Sequence, residues 1–210
     1  MACKFYPPFK RFFDILLSLI LLSTLIPILA LVSFSLFIVD GNPVFFVQRR
    51  IGVNGSIFRI LKFRTMSNSI TSAQVNPYVN TVNDHRVTSL GRILRLTSLD
   101  ELPQLLCILK GSMSFVGPRP AVIDEFTYET IDEDLIPLIS LRTTVPPGVT
   151  GLAQVIGRNR LDWNSKLLYD QQYIHLSSKS FLHAFALDIF ILFLTPLALF
   201  RPSGFYDQPI

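Results

Sequence analysis

The sequence predicts an α+β protein that is mainly helical and associated with a membrane. Two long apolar segments, residues 15–39 and 181–200, predict helices, and two apolar runs around Gly52-Val53-Asn54-Gly55 predict a small β-hairpin. Half of the 210 residues are hydrophobic and only 16% are charged, which is too apolar for a typical soluble domain and too polar for a polytopic membrane protein. We divide the chain into a membrane helix over residues 1–40 and a domain over residues 41–210 that includes a membrane-associated C-terminal helix.

The first apolar segment contains no charged residue from position 15 to position 39. At about 1.5 Å per residue, a straight helix of this length exceeds the roughly 30 Å hydrocarbon core of a bilayer. One interpretation is therefore a spanning helix. The other is a re-entrant helix that breaks at Pro27 and returns to the same side, because proline removes a backbone hydrogen bond. Basic residues flank both ends, and the positive-inside rule then favours a cytoplasmic position for both, although the residues alone leave the two interpretations open. These flanking residues are Lys4, Lys10, Arg11, Arg49, Arg50, Arg59, Lys62 and Arg64.

The predicted hairpin joins Phe45-Phe46-Val47 to residues 57–63, and its Asn-Gly pair is a strong turn signal. The two-residue period of a strand places Lys62 and Arg64 on one face. Residues 41–83 contain no acidic residue, so this basic face suits anionic lipid, a bound phosphate, or both. Serine, threonine and asparagine dominate residues 67–83, which predicts a polar loop.

A pair of acids, Asp100-Glu101, stands at the start of the next predicted helix. Ser98 followed by Glu101 has the spacing of a capping box, which places both carboxylates in the first turn of a helix that ends near Gly111. Pro103 supports this placement, because proline is tolerated near a helix start. The unpaired N–H groups there favour an ionised Asp100 and a phosphate beside it. An isolated pattern of this kind more often only completes a cap on a surface helix.

Two arginine-bearing segments surround the acids. Arg92 and Arg95 are three residues apart and share a helix face. Gly117-Pro118-Arg119-Pro120 predicts a rigid loop around one guanidinium, which suits bidentate phosphate binding; the alternative is a tight turn whose arginine faces water.

The second apolar segment contains Asp188, whose burial at a bilayer centre would cost roughly 2.5–3.5 kcal/mol. We therefore predict an in-plane or core-packed helix with Asp188 turned to a partner.

Several classes of protein are disfavoured. Cys3 and Cys107 are too few for a disulfide framework and lack metal-ligand spacing. The glycine-rich segment 146–158 is neither a dinucleotide-binding fingerprint nor a P-loop. The basic region has phenylalanines that could stack on bases, but the remaining chain is too apolar for a nucleic-acid-binding protein.

Five strings of residues together resemble the bacterial sugar transferases, which are monotopic phosphoglycosyl transferases that begin lipid-linked glycan synthesis. The match runs from about Lys10 to Leu194, with the motifs in the family's order. The strings are Gly41-Asn42-Pro43-Val44-Phe45-Phe46 with Gln48-Arg49-Arg50, Lys62-Phe63-Arg64-Thr65-Met66, Thr97-Ser98-Leu99-Asp100-Glu101-Leu102-Pro103-Gln104-Leu105, Val116-Gly117-Pro118-Arg119-Pro120 and Pro147-Gly148-Val149-Thr150-Gly151.

The resemblance implies transfer of a sugar 1-phosphate from a UDP-sugar to polyprenyl (undecaprenyl) phosphate, with release of UMP. It implies a monotopic fold with a re-entrant helix broken at Pro27 and amphipathic helices in contact with membrane phospholipid. The location implied is the cytoplasmic face of the bacterial inner membrane. This favours the re-entrant interpretation over the spanning one.

In the family, the aspartate of the Asp-Glu pair is the nucleophile, so the resemblance implies that Asp100 forms a covalent phosphosugar intermediate. Glu101 is then its partner, and Mg²⁺ is the cofactor, bound at Asp100. Lys62, Arg95 and Arg119 match basic positions of the family's site. We predict that Arg64 binds substrate phosphate beside Lys62.

Three positions depart from the family pattern. Ile26 precedes Pro27 where many members have serine, and Cys107 and Ser112 stand where asparagine and an acid are more usual. If that acid helps to bind metal, Ser112 removes its contribution. The competing hypothesis is a non-catalytic membrane anchor whose basic face recruits an acidic partner, although this gives no role to Asp100. No oligomeric state or sugar identity is predicted; residues 67–83 and the stretch after Gly157 are candidates for contacting the sugar.

Overall fold

The mainly helical α+β class predicted from the sequence is confirmed by a computed structural model, which describes residues 6–67, 86–123, 125–127, 131–157 and 161–199. Within these ranges the helices are α1 (Tyr6–Val39), α2 (Ser89–Thr97), α3 (Leu105–Lys110), α4 (Ile136–Leu141), α5 (Leu152–Ile156), α6 (Trp163–Lys179) and α7 (Phe181–Leu199). The strands are β1 (Phe45–Ile51), β2 (Ile57–Phe63), β3 (Ser114–Val116) and β4 (Gly148–Thr150). Most of the predicted polar loop, from residue 68 onward, lies outside the described residues, as do Cys3, Lys4 and residues 158–160 after Gly157.

Helix α1 is one continuous helix with Pro27 inside it, so the predicted division into two helices is wrong at the level of secondary structure. The physical reason is that a proline removes a single backbone hydrogen bond, while the turns on either side retain theirs. The hydroxyl groups of Ser23 and Thr24 both donate to the carbonyl of Ile20, at 2.9 Å, in the turn before Pro27. Hydroxyl groups that bond back to the preceding turn are compatible with a helix and often bend it.

Helix α1 packs against the rest of the chain at three places along its length. Near its start, the Arg11 guanidinium donates to the carbonyls of Ile108 and Leu109 at the end of α3. In its middle, leucines pack on a core cluster from β2 and α3, and toward its end Val32 and Leu36 join a second cluster with Phe63 and Leu94. The leucines of the middle contact are Leu21, Leu22 and Leu25.

The other face of α1 is apolar and exposed, with Leu31 and Phe34 each 65% exposed. Both α1 and α7 contain segments, Pro7–Val39 and Phe181–Ala198, that are long and apolar enough to cross a membrane. Exposed apolar surfaces of this extent mark contact with a membrane or with a partner.

Asp188 of α7 is buried and turned to partners, as the sequence predicts. Its carboxylate forms an ion pair with Lys10 of α1, and the Tyr173 hydroxyl of α6 donates to its other oxygen at 2.9 Å. Beside this pair, Asp14 of α1 accepts hydrogen bonds from the hydroxyl of Ser114 and the N–H of Phe115, both at 3.1 Å. Helices α1, α6 and α7 are therefore joined by charged and polar contacts at the start of α1.

The predicted hairpin is confirmed, with β1 and β2 antiparallel and Gln48 opposite Ile60. Asn54 and Gly55 have φ values of 52° and 75°, which explains why this turn uses an Asn-Gly pair. A second sheet, in which the three-residue strands β3 and β4 run parallel, is not predicted from the sequence.

Candidate active site

The two acids Asp100 and Glu101 lie in a short 3₁₀ helix, Leu99–Gln104, that continues directly into α3. Their predicted position in a first helical turn is confirmed, and so is the end of the helix at Gly111, which has a φ of 87°. Pro103 lies within the 3₁₀ segment, where the missing N–H costs little because the first N–H groups of a helix have no intrahelical partner.

The predicted capping box is wrong. Ser98 has left-handed backbone angles (φ 56°, ψ 19°) and its hydroxyl makes no cap hydrogen bond, whereas an N-cap residue needs an extended conformation. The Ser98 N–H instead closes the end of α2 by donating to the Arg95 carbonyl at 3.3 Å. The Glu101 side chain, which would complete the box, is directed to Lys62. This arrangement joins α2 tightly to the acidic turn.

Glu101 is held as a carboxylate by two cations from separate elements. Lys62 of β2 donates to Glu101 Oε1 at 2.6 Å, and the Arg119 Nη2 atom lies 3.8 Å from the same oxygen. Burial alone would raise the pKa of Glu101, but Lys62 and Arg119 outweigh it and lower that pKa to about 2. Burial lowers the pKa of Lys62, and the charge of Glu101 opposes this.

Asp100 is in a different electrostatic state from its neighbour. Burial and the adjacent Glu101 charge raise the pKa of Asp100 to about 6, and Lys62, Arg95 and Arg119 offset part of that rise. In the described part of the chain, no ion pair or hydrogen bond occupies the Asp100 carboxylate. At neutral pH both carboxylates are therefore ionised, and within the described ranges only that of Glu101 is engaged by a cation.

Arg95 reaches this site from the last turn of α2. Its Nε donates to the Thr65 hydroxyl at 2.8 Å, which fixes the side chain between α2 and the end of β2. Helix α2 can approach Thr65 this closely because Gly91 has no side chain. A Cβ at this position would lie only 2.2 Å from the Thr65 carbonyl oxygen. The start of α2 is capped by Thr88, which accepts from the Gly91 N–H at 2.9 Å.

The Arg119 loop is rigid because it is bonded to strand β4. The Gly117 N–H donates to the Thr150 carbonyl and the Gly148 N–H donates to the Pro118 carbonyl, both at 2.9 Å. A Cβ added to Gly148 would lie 2.2 Å from the Gly117 nitrogen. The two glycine motifs found separately in the sequence are therefore one unit, in which two backbones touch directly.

Sequence reasoning missed two arginines that hold this loop. Arg142 Nη2 donates to the Arg119 carbonyl at 2.6 Å, and Arg50 Nη1 donates to the Pro120 carbonyl at 2.8 Å. Arg142 also pairs with Asp170 of α6 at 3.1 Å. The local sequence around Arg142 and Asp170 gives no signal for this pairing, since 28 positions (170 − 142) separate two residues on different helices.

Arg64 is not brought to the acids. It follows Phe63, the last residue of β2, so the alternation that would place it on the face of Lys62 ends before it. Its guanidinium is buried and donates to the backbone carbonyls of Asp40 and Gly41, just after α1. In this structure Arg64 connects the end of β2 to the end of α1.

Metal binding at this site can use few side chains. No group of three or more His, Cys, Asp or Glu residues with metal-binding geometry occurs among the described residues. Ser112 donates to the Cys107 carbonyl at 3.0 Å, so its hydroxyl closes α3. Asp100 and Glu101 are thus the oxygen ligands that the acidic turn offers.

Known bacterial proteins are similar to this chain over most of its length. The family model described as bacterial sugar transferase matches residues 5–202. The exopolysaccharide production protein ExoY of Rhizobium meliloti is 43% identical over 182 residues, which cover 79% of this chain and 76% of that protein. The undecaprenyl-phosphate galactose phosphotransferase of Salmonella typhimurium is 36% identical over 210 residues, or 94% of this chain and 41% of that protein. The UDP-glucose:undecaprenyl-phosphate glucose-1-phosphate transferase of Klebsiella pneumoniae is 38% identical over 192 residues, or 89% of this chain and 39% of that protein.

Proposed function

The chain belongs to the bacterial sugar transferase family, and we propose from this that it transfers a sugar 1-phosphate from a UDP-sugar to a polyprenyl phosphate. Two of the relatives described above carry undecaprenyl phosphate in their names, and one of these two also carries UDP-glucose. The observation that supports this reaction best is the contrast within the acidic turn: among the residues that the structure describes, Glu101 has a paired cation and the neighbouring Asp100 has none.

In the first proposed step, an Asp100 carboxylate oxygen attacks the sugar-bearing phosphorus of the donor. A bond forms between that oxygen and phosphorus, while the bond from phosphorus to the bridging oxygen breaks. UMP leaves with the bridging oxygen and the electron pair, and the phosphosugar remains on Asp100 as an acyl phosphate. A carboxylate nucleophile in this way divides one difficult displacement into two easier ones.

In the second proposed step, an oxygen of polyprenyl phosphate attacks the same phosphorus. The bond between phosphorus and Asp100 breaks, the carboxylate is regenerated, and polyprenyl-diphosphate-sugar is released. No net proton is consumed by the enzyme over the two steps, so Glu101 need not titrate and can stay paired with Lys62 throughout.

The cations around the turn supply what the phosphates need. Lys62, Arg95 and Arg119 all act electrostatically on Asp100, and each comes from a different element. Fixed positive charges stabilise charge on the equatorial phosphoryl oxygens of each transition state. Arg119 is the most accessible of them, with 49% of its side chain exposed, so we assign it to the incoming donor phosphates.

The acidic turn also fits Mg²⁺. This ion is usually bound by one or two carboxylates together with substrate phosphates, rather than by a cage of protein ligands. Asp100 has no cation in direct contact in the described residues, and its raised pKa shows that its burial is incompletely compensated. When bound, Mg²⁺ would offset the repulsion between the carboxylate and the donor phosphates.

We propose that α1 enters one leaflet of the bacterial inner membrane from the cytoplasmic face and does not cross it. Arg11 near its start and Asp40 just after its end both contact elements of the same catalytic body, α3 and α2 respectively. A helix that crossed the bilayer would carry its two ends to opposite sides. Lys10 and Asp188 support the same arrangement for α7, because their ion pair places the middle of α7 beside the start of α1.

The test is to isolate the covalent intermediate. Purified protein is incubated with a UDP-sugar and Mg²⁺ but no acceptor, digested, and the peptide containing Asp100 is weighed. We expect an added phosphosugar mass and one equivalent of UMP, both abolished in Asp100→Asn and both retained in the control Asp134→Asn, which changes an exposed acid. Turnover without the added mass contradicts the covalent mechanism. No UMP release under any condition, with intact membrane binding, favours the non-catalytic anchor.

Topology has a separate test. A single cysteine introduced near residue 5, with Cys3 and Cys107 replaced by serine, is exposed to a membrane-impermeant thiol reagent. We expect labelling in inside-out vesicles and protection in intact cells. A cysteine labelled from outside the cell contradicts the proposed arrangement.

A further inference from the structure

Two arginine side chains hold the loop that carries Arg119 by donating to its backbone carbonyls. The carbonyl of Arg119 accepts from Arg142 at 2.6 Å, and the carbonyl of Pro120 accepts from Arg50 at 2.8 Å. Hydrogen bonds from charged donors are about twice as strong as neutral ones. Two guanidinium groups thus bind successive backbone oxygens of one short loop.

Arg142 is itself held by Asp170 and by two aromatic rings. It is only 6% exposed, pairs with Asp170 at 3.1 Å, and places its guanidinium carbon 4.9 Å from the ring centre of Trp163 and 5.6 Å from that of Phe126. Removing two charges from water costs several kcal/mol per ion, so a buried pair of this kind is weak evidence for a purely stabilising role. A rigid cation directed at one carbonyl oxygen is well suited to setting a position.

The position that it sets is that of the Arg119 side chain. The carbonyl carbon of Arg119 is bonded to its Cα, so holding the carbonyl oxygen restricts the position of Cα and the direction in which the side chain leaves the loop. The Arg119 Nη2 atom lies 3.8 Å from Glu101 Oε1, at the outer limit of an ion pair. A displacement of about 1 Å at a substrate-binding group is enough to cost a large factor in rate.

We propose that Arg142, held by Asp170, is a positioning residue that aims the Arg119 guanidinium at the donor phosphates. This rests on the proposed function in one respect, namely that Arg119 binds those phosphates. Arg142 contacts no reacting atom in the proposal and acts entirely through the Arg119 carbonyl.

A double-mutant cycle distinguishes positioning from general stabilisation. The proteins are the wild type, Arg119→Gln, Arg142→Gln and the double variant, each assayed for UMP release over a range of UDP-sugar concentrations. We expect Arg119→Gln to lower kcat/KM about 100-fold, as for loss of one fixed transition-state donor. We expect Arg142→Gln to lower it about 10-fold through Arg119, and the double variant to match Arg119→Gln, because effects that share one group are not additive.

The control is a buried ion pair outside this loop. Asp188→Asn removes the partner of Lys10, and we expect its loss of activity to multiply with that of Arg119→Gln, because residues without shared partners are additive. If Arg142→Gln lowers kcat/KM by the same factor in the wild type and in Arg119→Gln, the positioning role is wrong. Asp170→Asn is the milder second variant. We expect it to lower kcat/KM about threefold in the wild type and to leave kcat/KM unchanged in Arg119→Gln.

The same four proteins are also titrated with inorganic pyrophosphate by calorimetry. This measures the contribution of Arg119 to phosphate binding in the absence of turnover. We expect wild-type binding, weaker binding in Arg142→Gln, and no further loss in the double variant compared with Arg119→Gln. Absence of pyrophosphate binding in the wild type overturns the proposal. Absence of UMP release with this binding pattern intact contradicts the proposed reaction but not the positioning of Arg119.

Discussion

The ion pair between Lys10 and Asp188 provides a quantitative test of how the two apolar helices are held together. The side chains are 11% and 10% exposed, and Lys10 is in the second turn of α1 while Asp188 is in the middle of α7. The Tyr173 hydroxyl donates to the second Asp188 oxygen at 2.9 Å. The perturbation is Lys10→Met, which keeps the length of the side chain and removes the ammonium group.

The expected magnitude follows from the burial. Removing one partner of a buried ion pair leaves an uncompensated charge, which costs about 3–5 kcal/mol. In the double variant Lys10→Met with Asp188→Asn, both charges of the pair are removed and the asparagine oxygen can still accept from Tyr173. Replacing both members of a buried ion pair with uncharged residues often changes stability little. We therefore expect the double variant to recover most of the stability that Lys10→Met loses.

The assay is thermal unfolding of the purified protein in one detergent, at one protein concentration and scan rate. For a chain of this size a loss of 1 kcal/mol lowers Tm by about 2–4 °C, so Lys10→Met is expected to lower it by roughly 6–20 °C. The decisive result is the order of Tm, which we expect to be highest in the wild type, intermediate in the double variant and lowest in the single variant. A single variant as stable as the wild type, or a double variant no better than the single one, would refute a buried and energetically coupled pair.

Three further predictions concern the acidic turn and the Arg119 loop. Because burial and the Glu101 charge raise the pKa of Asp100 to about 6, the carboxylate that we propose as the nucleophile is protonated as pH falls through 6. The rate of UMP release with donor alone should therefore rise from pH 5 to pH 7, and a flat profile would contradict this. Lys62→Met should destabilise the protein by about 3–5 kcal/mol by removing the closer of the two cations that pair with Glu101, and adding Glu101→Gln should restore Tm but not activity, measured side by side. Gly148→Ala should cost about 1–3 kcal/mol and lower kcat/KM, because its Cβ would displace the Gly117 backbone; unchanged Tm and kinetics would show that the loop yields easily.

Local features of the fold could be predicted because local chemistry determines them. The Asn54-Gly55 turn follows from the need for positive φ, and the end of α3 follows from Gly111, whose φ is 87°. Asp100 and Glu101 could be placed at a helix start because proline at position 103 is tolerated near such a start, although the capping box proposed with it is wrong. In each case the deciding interaction lies within a few residues of the signal.

The capping box failed for a reason that the sequence does not contain. Lys62 comes from a strand 39 residues earlier and takes the Glu101 carboxylate, so the local partner loses to a distant one. Arg64 is directed to the Asp40 carbonyl for the same kind of reason, since the end of α1 offers it two oxygens. The pairing of β3 with β4 likewise depends on contacts across the chain, because strands of three residues have almost no intrinsic preference.

The connections at the end of α1 bear on why a phosphoryl-transfer site of this kind would be built against an apolar helix. Asp40 accepts a hydrogen bond from Thr88, the residue that caps α2, and α2 carries Arg95. The same turn accepts the Arg64 guanidinium, two residues beyond Lys62. The cations that act on Asp100 are thus positioned by elements that rest on α1, and removing α1 would uncover buried residues of β2 and α2. We infer that the apolar helix does more than keep the enzyme at the lipid surface: its packing sets the distances within the charged site, so detergents that loosen α1 should lower activity before they unfold the protein.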